Sequence, residues 1–232
     1  MRILLIGDIV GKPGRKAVKQ FLPVLKSEYS IDYVIGNADN ASGGFGLTQE
    51  NADELRIAGV DGFTLGNHVW DQKEAPKMIE EDPQMARPEN FPEGSPGRGY
   101  FYLDGVAGLM CVLHLQGRTY MDPIDCPFIV GKRIIKDIRE NTNVILVDFH
   151  AEATSEKQAL GRYLDGQVSA VIGTHTHVVT ADEHIFPGGT GFQTDAGMTG
   201  PHESVIGVKT EGPIKKMVHH MKCRFEVATS TM

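Results

Sequence analysis

The sequence predicts an α/β fold. Its apolar runs are short and rich in β-branched residues, and they alternate with stretches of helical length and pattern. Gly, Pro, Asn or Asp marks most of the junctions between them. Alternation of this kind favours parallel sheet, whose strands read as continuous apolar runs because helices cover both faces. At 232 residues the chain is long enough for one large domain, and no composition shift or linker divides it, so residues 1–232 read as a single domain.

Arg2 to Gly7 is the first buried strand, with Asp8 at its end. Gly11-Lys12-Pro13-Gly14 reads as a loop, and Arg15 to about Lys26 as a helix that Pro23 should kink or stop. Tyr33 to Gly36 is the second strand, running out into Asn37-Ala38-Asp39-Asn40. A glycine-rich turn at 42–46 precedes Thr48, a suitable N-cap for a helix through Ala58. Gly62 to Leu65 is the third strand, ending in Gly66-Asn67-His68, and 72–81 is helical in pattern. Residues 82–99, rich in Pro and Gly, form a long irregular connection.

Tyr100 to Leu103 and Leu109 to Leu115 make a hairpin around Asp104-Gly105, followed by Gln116-Gly117-Arg118. Phe128 to Glu140 is helical, and Val144 to Phe149 is a strong strand ending at His150. Ser155-Glu156-Lys157-Gln158 has the capping-box pattern and opens a helix to about Leu164. Val168 to Ile172 is a buried strand that leads into Gly173-Thr174-His175-Thr176-His177. Shorter strands near 184–186 and 191–194, a loop at 195–201 and a last strand at 224–228 suggest a second sheet.

A hydrophobic content of 41% and a charged content of 23% are ordinary for a globular protein. The net charge of −7 and the pI near 5.7 argue against a general surface for long nucleic acids or anionic membranes. No apolar stretch is long enough to span a bilayer, and the apolar start carries Asp8 within it, unlike a signal peptide. Cys111, Cys126 and Cys223 have no metal-site spacing, which fits reduced thiols in the cytoplasm. A homo-oligomer is the ordinary expectation for a chain of this kind.

The residues with chemistry recur at strand ends: Asp8, Asp39 with Asn40, Asn67 with His68, His150, and His175 with His177. In open α/β folds the carboxyl ends of the strands line one crevice, so these segments should converge. Each taken alone has an ordinary reading as a turn residue or a satisfied histidine; their recurrence at separate strand ends favours one site. Oxygen donors from Asp8, Asp39, Asn40 and Asn67 with imidazoles from His150, His175 and His177 suit manganese, iron or zinc, whereas an all-oxygen set would suit magnesium or calcium. No cysteine joins the set, unlike a structural zinc site.

Gly7-Asp8, Asp39-Asn40, Gly66-Asn67-His68, His150-Ala151-Glu152 and Gly173 to His177 together resemble the calcineurin-like metallophosphoesterases. Gly11 to Arg15, Arg87-Pro88-Glu89-Asn90-Phe91-Pro92, Leu115 to Thr119, Asp148 to Glu156 and Thr194 to Pro201 resemble the bacterial YmdB-like branch, over residues 1 to about 210. The resemblance implies a four-layer α/β/β/α sandwich. It also implies a phosphodiesterase of small esters such as 2′,3′- and 3′,5′-cyclic nucleotides, with two iron or manganese ions that activate water. It assigns one metal to Asp8, Asp39, Asn40 and His177, and the other to Asp39, Asn67, His150 and His175. Asp39 is the bridge, where the branch usually carries Glu, and His68 is the proton donor. The competing readings are a phosphomonoesterase and a metal-binding regulatory scaffold. Asp148, Glu152 and Asp195 are candidates to orient the ligating histidines. Arg118 could contact phosphate, and Phe91, Tyr100, Phe101, Tyr102 and Tyr120 could face a base.

Overall fold

The computed structural model describes residues 1–229. Strands β1 (Ile3–Ile6), β2 (Tyr33–Asn37), β3 (Gly62–Thr64) and β4 (Met85–Ala86) form a parallel sheet in that order. Helices α1 (Gly11–Tyr29), α2 (Gln49–Ala58) and α3 (Ala75–Glu81) make its crossovers. The second sheet contains β5 (Tyr100–Leu103), β6 (Met110–Gln116), β7 (Ile145–His150), β8 (Ala170–Thr174), β9 (His184–Ile185) and β10 (Gly191–Gln193), ordered β5-β6-β7-β8-β10-β9. Its interior pairs are parallel and both edge strands are antiparallel. Helices α4 (Pro127–Ile138) and α5 (Thr154–Tyr163) connect its strands, and α6 (Glu211–His219) lies near the C-terminus.

Burial explains why most of the parallel strands read as unbroken apolar runs; β1, read as buried, is an edge strand and only half-buried. One apolar cluster joins α1, α2 and α3 to the first sheet through Val18, Leu22, Val34, Leu55, Phe63 and Ile79. A second joins α4 and α5 to the other sheet through Leu113, Val130, Ile135, Val147, Leu160 and Val171. A third draws Tyr33 and Ile35 of β2 together with Phe101, Met110, Val112 and Leu146 of the second sheet. Cys111 is buried, and burial pushes its thiol up to about 12, so it behaves as a small apolar side chain.

The elements depart from the sequence reading in a few places. Gly11 to Gly14 form the first turn of α1 rather than a loop, with Pro13 near its start, and the helix continues through Pro23 to Tyr29. Pro23 and Lys19 face solvent, where water can satisfy the Lys19 carbonyl that Pro23 cannot reach. Residues 82–99 contain the short strand β4, which the Pro content hid. The capping box before α5 is not made: the helix starts at Thr154 with Ala153 as its cap. The Glu156 carboxylate instead accepts the backbone N–H groups of Arg118 and Thr119 at 3.0–3.2 Å. In place of a strand at 224–228 the chain makes the isolated bridge Val208 to Val227, and α6 precedes it. Thr48 does cap α2, accepting from Asn51 N at 3.3 Å.

Candidate metal centre

The parallel strands of the two sheets deliver their ends to one place. In register, His150 at the end of β7 lies beside Thr174 at the end of β8. Beyond Thr174 the chain does not continue as a strand. His175 and His177 both take left-handed backbone angles, with φ of 97° and 64°. Such angles are costly for residues with a Cβ and persist only where surrounding contacts hold them. Asp195 supplies that hold: its Oδ2 accepts Thr176 N at 3.2 Å and Thr176 Oγ1 at 2.7 Å, and it pairs with buried Lys157 Nζ at 2.5 Å. A Cβ on Gly173 would run into the Thr194 carbonyl oxygen, so this strand exit requires glycine.

The turned loop points the two histidines at different partners. His175 Nδ1 lies 3.1 Å from His150 Nε2, and His177 Nε2 lies 3.2 Å from Asn40 Oδ1. His175 and His177 therefore do not share one strand face. They serve two adjoining groups of donors.

Proton accounting shows what these groups can hold. Thr174 Oγ1 donates to Asp148 Oδ1 at 2.7 Å, so it must accept from His150 Nδ1 at 3.0 Å. That leaves His150 Nε2 facing Asn67 Oδ1 at 3.0 Å, His175 Nδ1 at 3.1 Å and Asp39 Oδ2 at 3.3 Å. Glu152 sits 3.2 Å from His175 Nε2 and takes that ring's proton, so His175 Nδ1 is a lone pair. With its proton at Nδ1, the neutral His150 ring turns the Nε2 lone pair toward three further acceptors, and no proton lies among them. A cation accepted by all of them removes the conflict.

The second group repeats the pattern. His177 Nδ1 donates to the Ile206 carbonyl at 2.8 Å, which turns Nε2 toward Asn40 Oδ1. Asn40 Nδ2 donates to the Gly44 carbonyl at 3.0 Å, fixing its oxygen on the site side. Asp8 Oδ1 is buried without a hydrogen-bond partner among the described residues, 3.8 Å from His177 Nε2 and 3.8 Å from His150 Nδ1. An orphaned buried carboxylate oxygen among lone pairs fits a cation site. Among the described residues no three His, Cys, Asp or Glu side chains alone form a metal-binding group. The Asn40 and Asn67 oxygens complete the two groups of donors, each beside a histidine nitrogen.

The charges are poised accordingly. Burial raises the Asp8 pKa above its ordinary value, against the pull of His150 and His177. Burial also opposes ionisation of Asp39, but hydrogen bonding and charge from His150, with help from His68, bring it below the usual carboxylate range. His150 is raised, because Asp39, Asp8 and Asp148 outweigh the effect of burial. His175 falls to about 3, driven by burial and then by the neighbouring His150. Asp39 makes its contacts toward the first group, around His150: Gly66 N at 2.5 Å, His68 N at 3.0 Å and His150 Nε2 at 3.3 Å.

His68 stands at the rim. Its Nδ1 donates to Asp71 Oδ2 at 2.7 Å and its ring meets Phe45 edge-on, with centroids 5.1 Å apart. The sequence reading missed Asp71, Phe45 and the Ile206 carbonyl, since nothing in their local pattern marks them. Arg118 falls elsewhere, in a separate hollow with Thr119 and Glu156. Phe101 is core and Tyr100 packs on Tyr102, so neither faces the donors. The Arg87 to Pro92 phrase is a clamp: Arg87 donates to the carbonyls of Pro88 and Pro96, and Asn90 to those of Gln116 and Asp125.

A family model described as YmdB-like protein matches residues 4–232. The chain belongs to the YmdB-like family. The match continues past residue 210, where the sequence reading had let the resemblance lapse. This YmdB-like chain is 48% identical over 228 residues to a Bacillus subtilis (strain 168) protein named 2′,3′-cyclic-nucleotide 2′-phosphodiesterase, covering 98% of this chain and 86% of that one. A Thermus thermophilus protein of known structure, described as hypothetical, aligns with a TM-score of 0.94 at 43% identity, over 99% of this chain and 89% of that one. A Mycoplasma pneumoniae protein described as a novel phosphatase aligns with a TM-score of 0.92 at 37% identity, over 97% and 82%.

Proposed function

We propose that this YmdB-like protein is a metal-dependent phosphodiesterase of small cyclic esters, 2′,3′-cyclic nucleotides foremost and 3′,5′-cyclic nucleotides as further substrates. The observation that carries it is the crowding of Asn67 Oδ1, His175 Nδ1 and Asp39 Oδ2 around one nitrogen of His150. The proposal includes a single domain over 1–232, of which 230–232 lie outside the described residues. It also includes a four-layer α/β/β/α arrangement, supported by the three separate apolar clusters.

Two ions, iron or manganese, would be held by Asp8, Asn40 and His177 on one side and Asn67, His150 and His175 on the other, with Asp39 between. Bound there, they would acidify water toward neutral pH and offset charge on the phosphate oxygens. The chain does the rest. Asp148, through Thr174, keeps the His150 proton at Nδ1 and its Nε2 turned into the site. Asp39 grips the backbone N–H of His68, and Asp71 holds the proton at His68 Nδ1. His68 Nε2 is then the atom that delivers a proton to the leaving alkoxide.

The test strips the protein with chelator, restores Mn²⁺ or Fe²⁺, and compares 2′,3′-cyclic AMP, 3′,5′-cyclic AMP and a phosphomonoester. Metal-dependent turnover favouring the cyclic diesters is expected. His68→Ala should lower kcat by about 10²–10⁴-fold with bound metal retained. Preference for the monoester, or no turnover with fewer than two bound metals, would sink the reading.

A further inference from the structure

A cavity of about 700 Å³ opens on the donor cluster, and its far wall comes from the C-terminal part of the chain. On one side stand Asn40, His68, His175 and His177; across from them stand Ile206, Val208, Pro213, Met217, Phe225 and Val227. The wall is therefore apolar where the floor is polar. It is also fastened to the site rather than merely near it. The Ile206 carbonyl takes the His177 proton at 2.8 Å, and the bridge between Val208 and Val227 continues from that turn. Val227 packs on the Gly44 side of the loop that fixes the Asn40 amide.

The wall carries one further mark. Lys216 Nζ lies over the Phe225 ring, 5.2 Å from its centroid, and Lys222 also lines the cavity. An aromatic face beside ammonium groups, one step from a phosphoester site, matches an anion that carries a flat π-system. The volume falls within the range of small-molecule pockets. We propose that the α6 wall, centred on Phe225 and Met217, is a nucleobase subsite that selects nucleotide esters over phosphodiesters without a base. This deepens the phosphodiesterase reading and rests on it for the position of the phosphate. Continuity of the wall with the donor cluster argues for a ligand of the site rather than a second copy of the chain. Met217 is 74% exposed, so it is available to such a ligand.

The experiment separates the subsite from the chemistry. Adenosine carries no phosphate and needs no metal, so its binding to metal-stripped protein, read by NMR saturation transfer and titration against ribose, reports the wall alone. Adenosine should bind where ribose does not. Phe225→Ala should weaken it about tenfold, as expected for losing one base–aromatic stack. Met217→Glu, on an exposed position, should weaken it as well without depending on the fold of a half-buried site. In metal-loaded protein, both variants should lower the ratio of kcat/KM for 2′,3′-cyclic AMP to that for glycerol 2,3-cyclic phosphate by a similar factor. No adenosine binding, or binding equal in parent and both variants, overturns the subsite. A parent dimer that Met217→Glu dissociates, with adenosine binding unaltered, would assign the face to a second copy and overturn it too. If adenosine binds as expected and no diester is hydrolysed, the subsite stands and the phosphodiesterase reading fails.

Discussion

Asp8 carries a cost that the metal-free fold does not repay. Its Oδ1 is buried and has no hydrogen-bond partner among the described residues, and burial raises its pKa, so the ionised form is costly until something positive arrives. Asp8→Asn should leave the thermal midpoint of chelator-treated protein unchanged or higher, while abolishing the rise that Mn²⁺ produces in the parent. A midpoint that falls in Asp8→Asn without metal would show that the carboxylate is structural. His175 gives the matching pH prediction. Its folded pKa, about 3, lies below the 6.5 of an ordinary histidine, so between these values the unfolded chain binds more protons. Stability from this group is complete above pH 6.5 and is lost as pH falls toward 3. Denaturant titrations of metal-free protein from pH 7 to 5 should show that decline, at most about 1.4 kcal/mol per pH unit, and His175→Ala should flatten it. That the candidate donors would gather in one place was legible in the sequence, because a strand end in an α/β fold is a place where side chains converge. Of their proton partners, the carboxylates Glu152 and Asp148 could be named as candidates, whereas Asp71, Thr174 and the Ile206 carbonyl act through geometry that no spacing encodes.

At the scale of elements, the loop after β8 depends on a helix that never touches the donors. Lys157 of α5 is 1% exposed and its ammonium meets Asp195, whose carboxylate also holds Thr176 between the two left-handed histidines. Removing one member of a buried pair strands the other charge, a loss of about 3–5 kcal/mol. Lys157→Met should therefore destabilise the protein by about that amount in equilibrium denaturation. Adding Asp195→Leu should recover much of the stability while metal affinity stays low, since the loop has lost its anchor. If the single variant unfolds like the parent, the pair is not what holds the loop. The strands and most helices could be read from apolar period, since burial on both faces dictates it. Pattern failed where tertiary context governs. Pro23 sits on an exposed face where its missing N–H costs little, and the Ser155 capping box is not made because the helix already begins at Thr154, which puts Ser155 inside it.

Across the whole molecule, the donor cluster is a seam. Asp8, Asp39, Asn40 and Asn67 follow strands of the first sheet, whereas His150, His175 and His177 follow strands of the second. Below them Asp148 of β7 accepts from Asn37 of β2 at 3.0 Å, from Thr64 of β3 at 2.5 Å and from Thr174 of β8 at 2.7 Å. Burial alone would raise the Asp148 pKa, yet His114, the Thr64 hydroxyl and His150 bring it far below the usual range. It stays ionised, so the polar hub between the sheets persists at neutral pH. The sequence could place donors on each sheet but could not show that they meet, because these contacts join residues 84 to 137 positions apart. A metal that draws on both sets is then a clamp between sheets, not a local ornament of one loop. Loading the chelated protein with Mn²⁺ at about 100 times its dissociation constant should add about 2.7 kcal/mol per site, seen as a higher denaturant midpoint. Hydrogen exchange distinguishes the clamp from a loop effect. Amides of β1 to β3 and of β7 to β8 should gain protection together, because opening either sheet now requires releasing the ion. Protection confined to 174–177 would mean that the metal orders a loop and leaves the seam untouched.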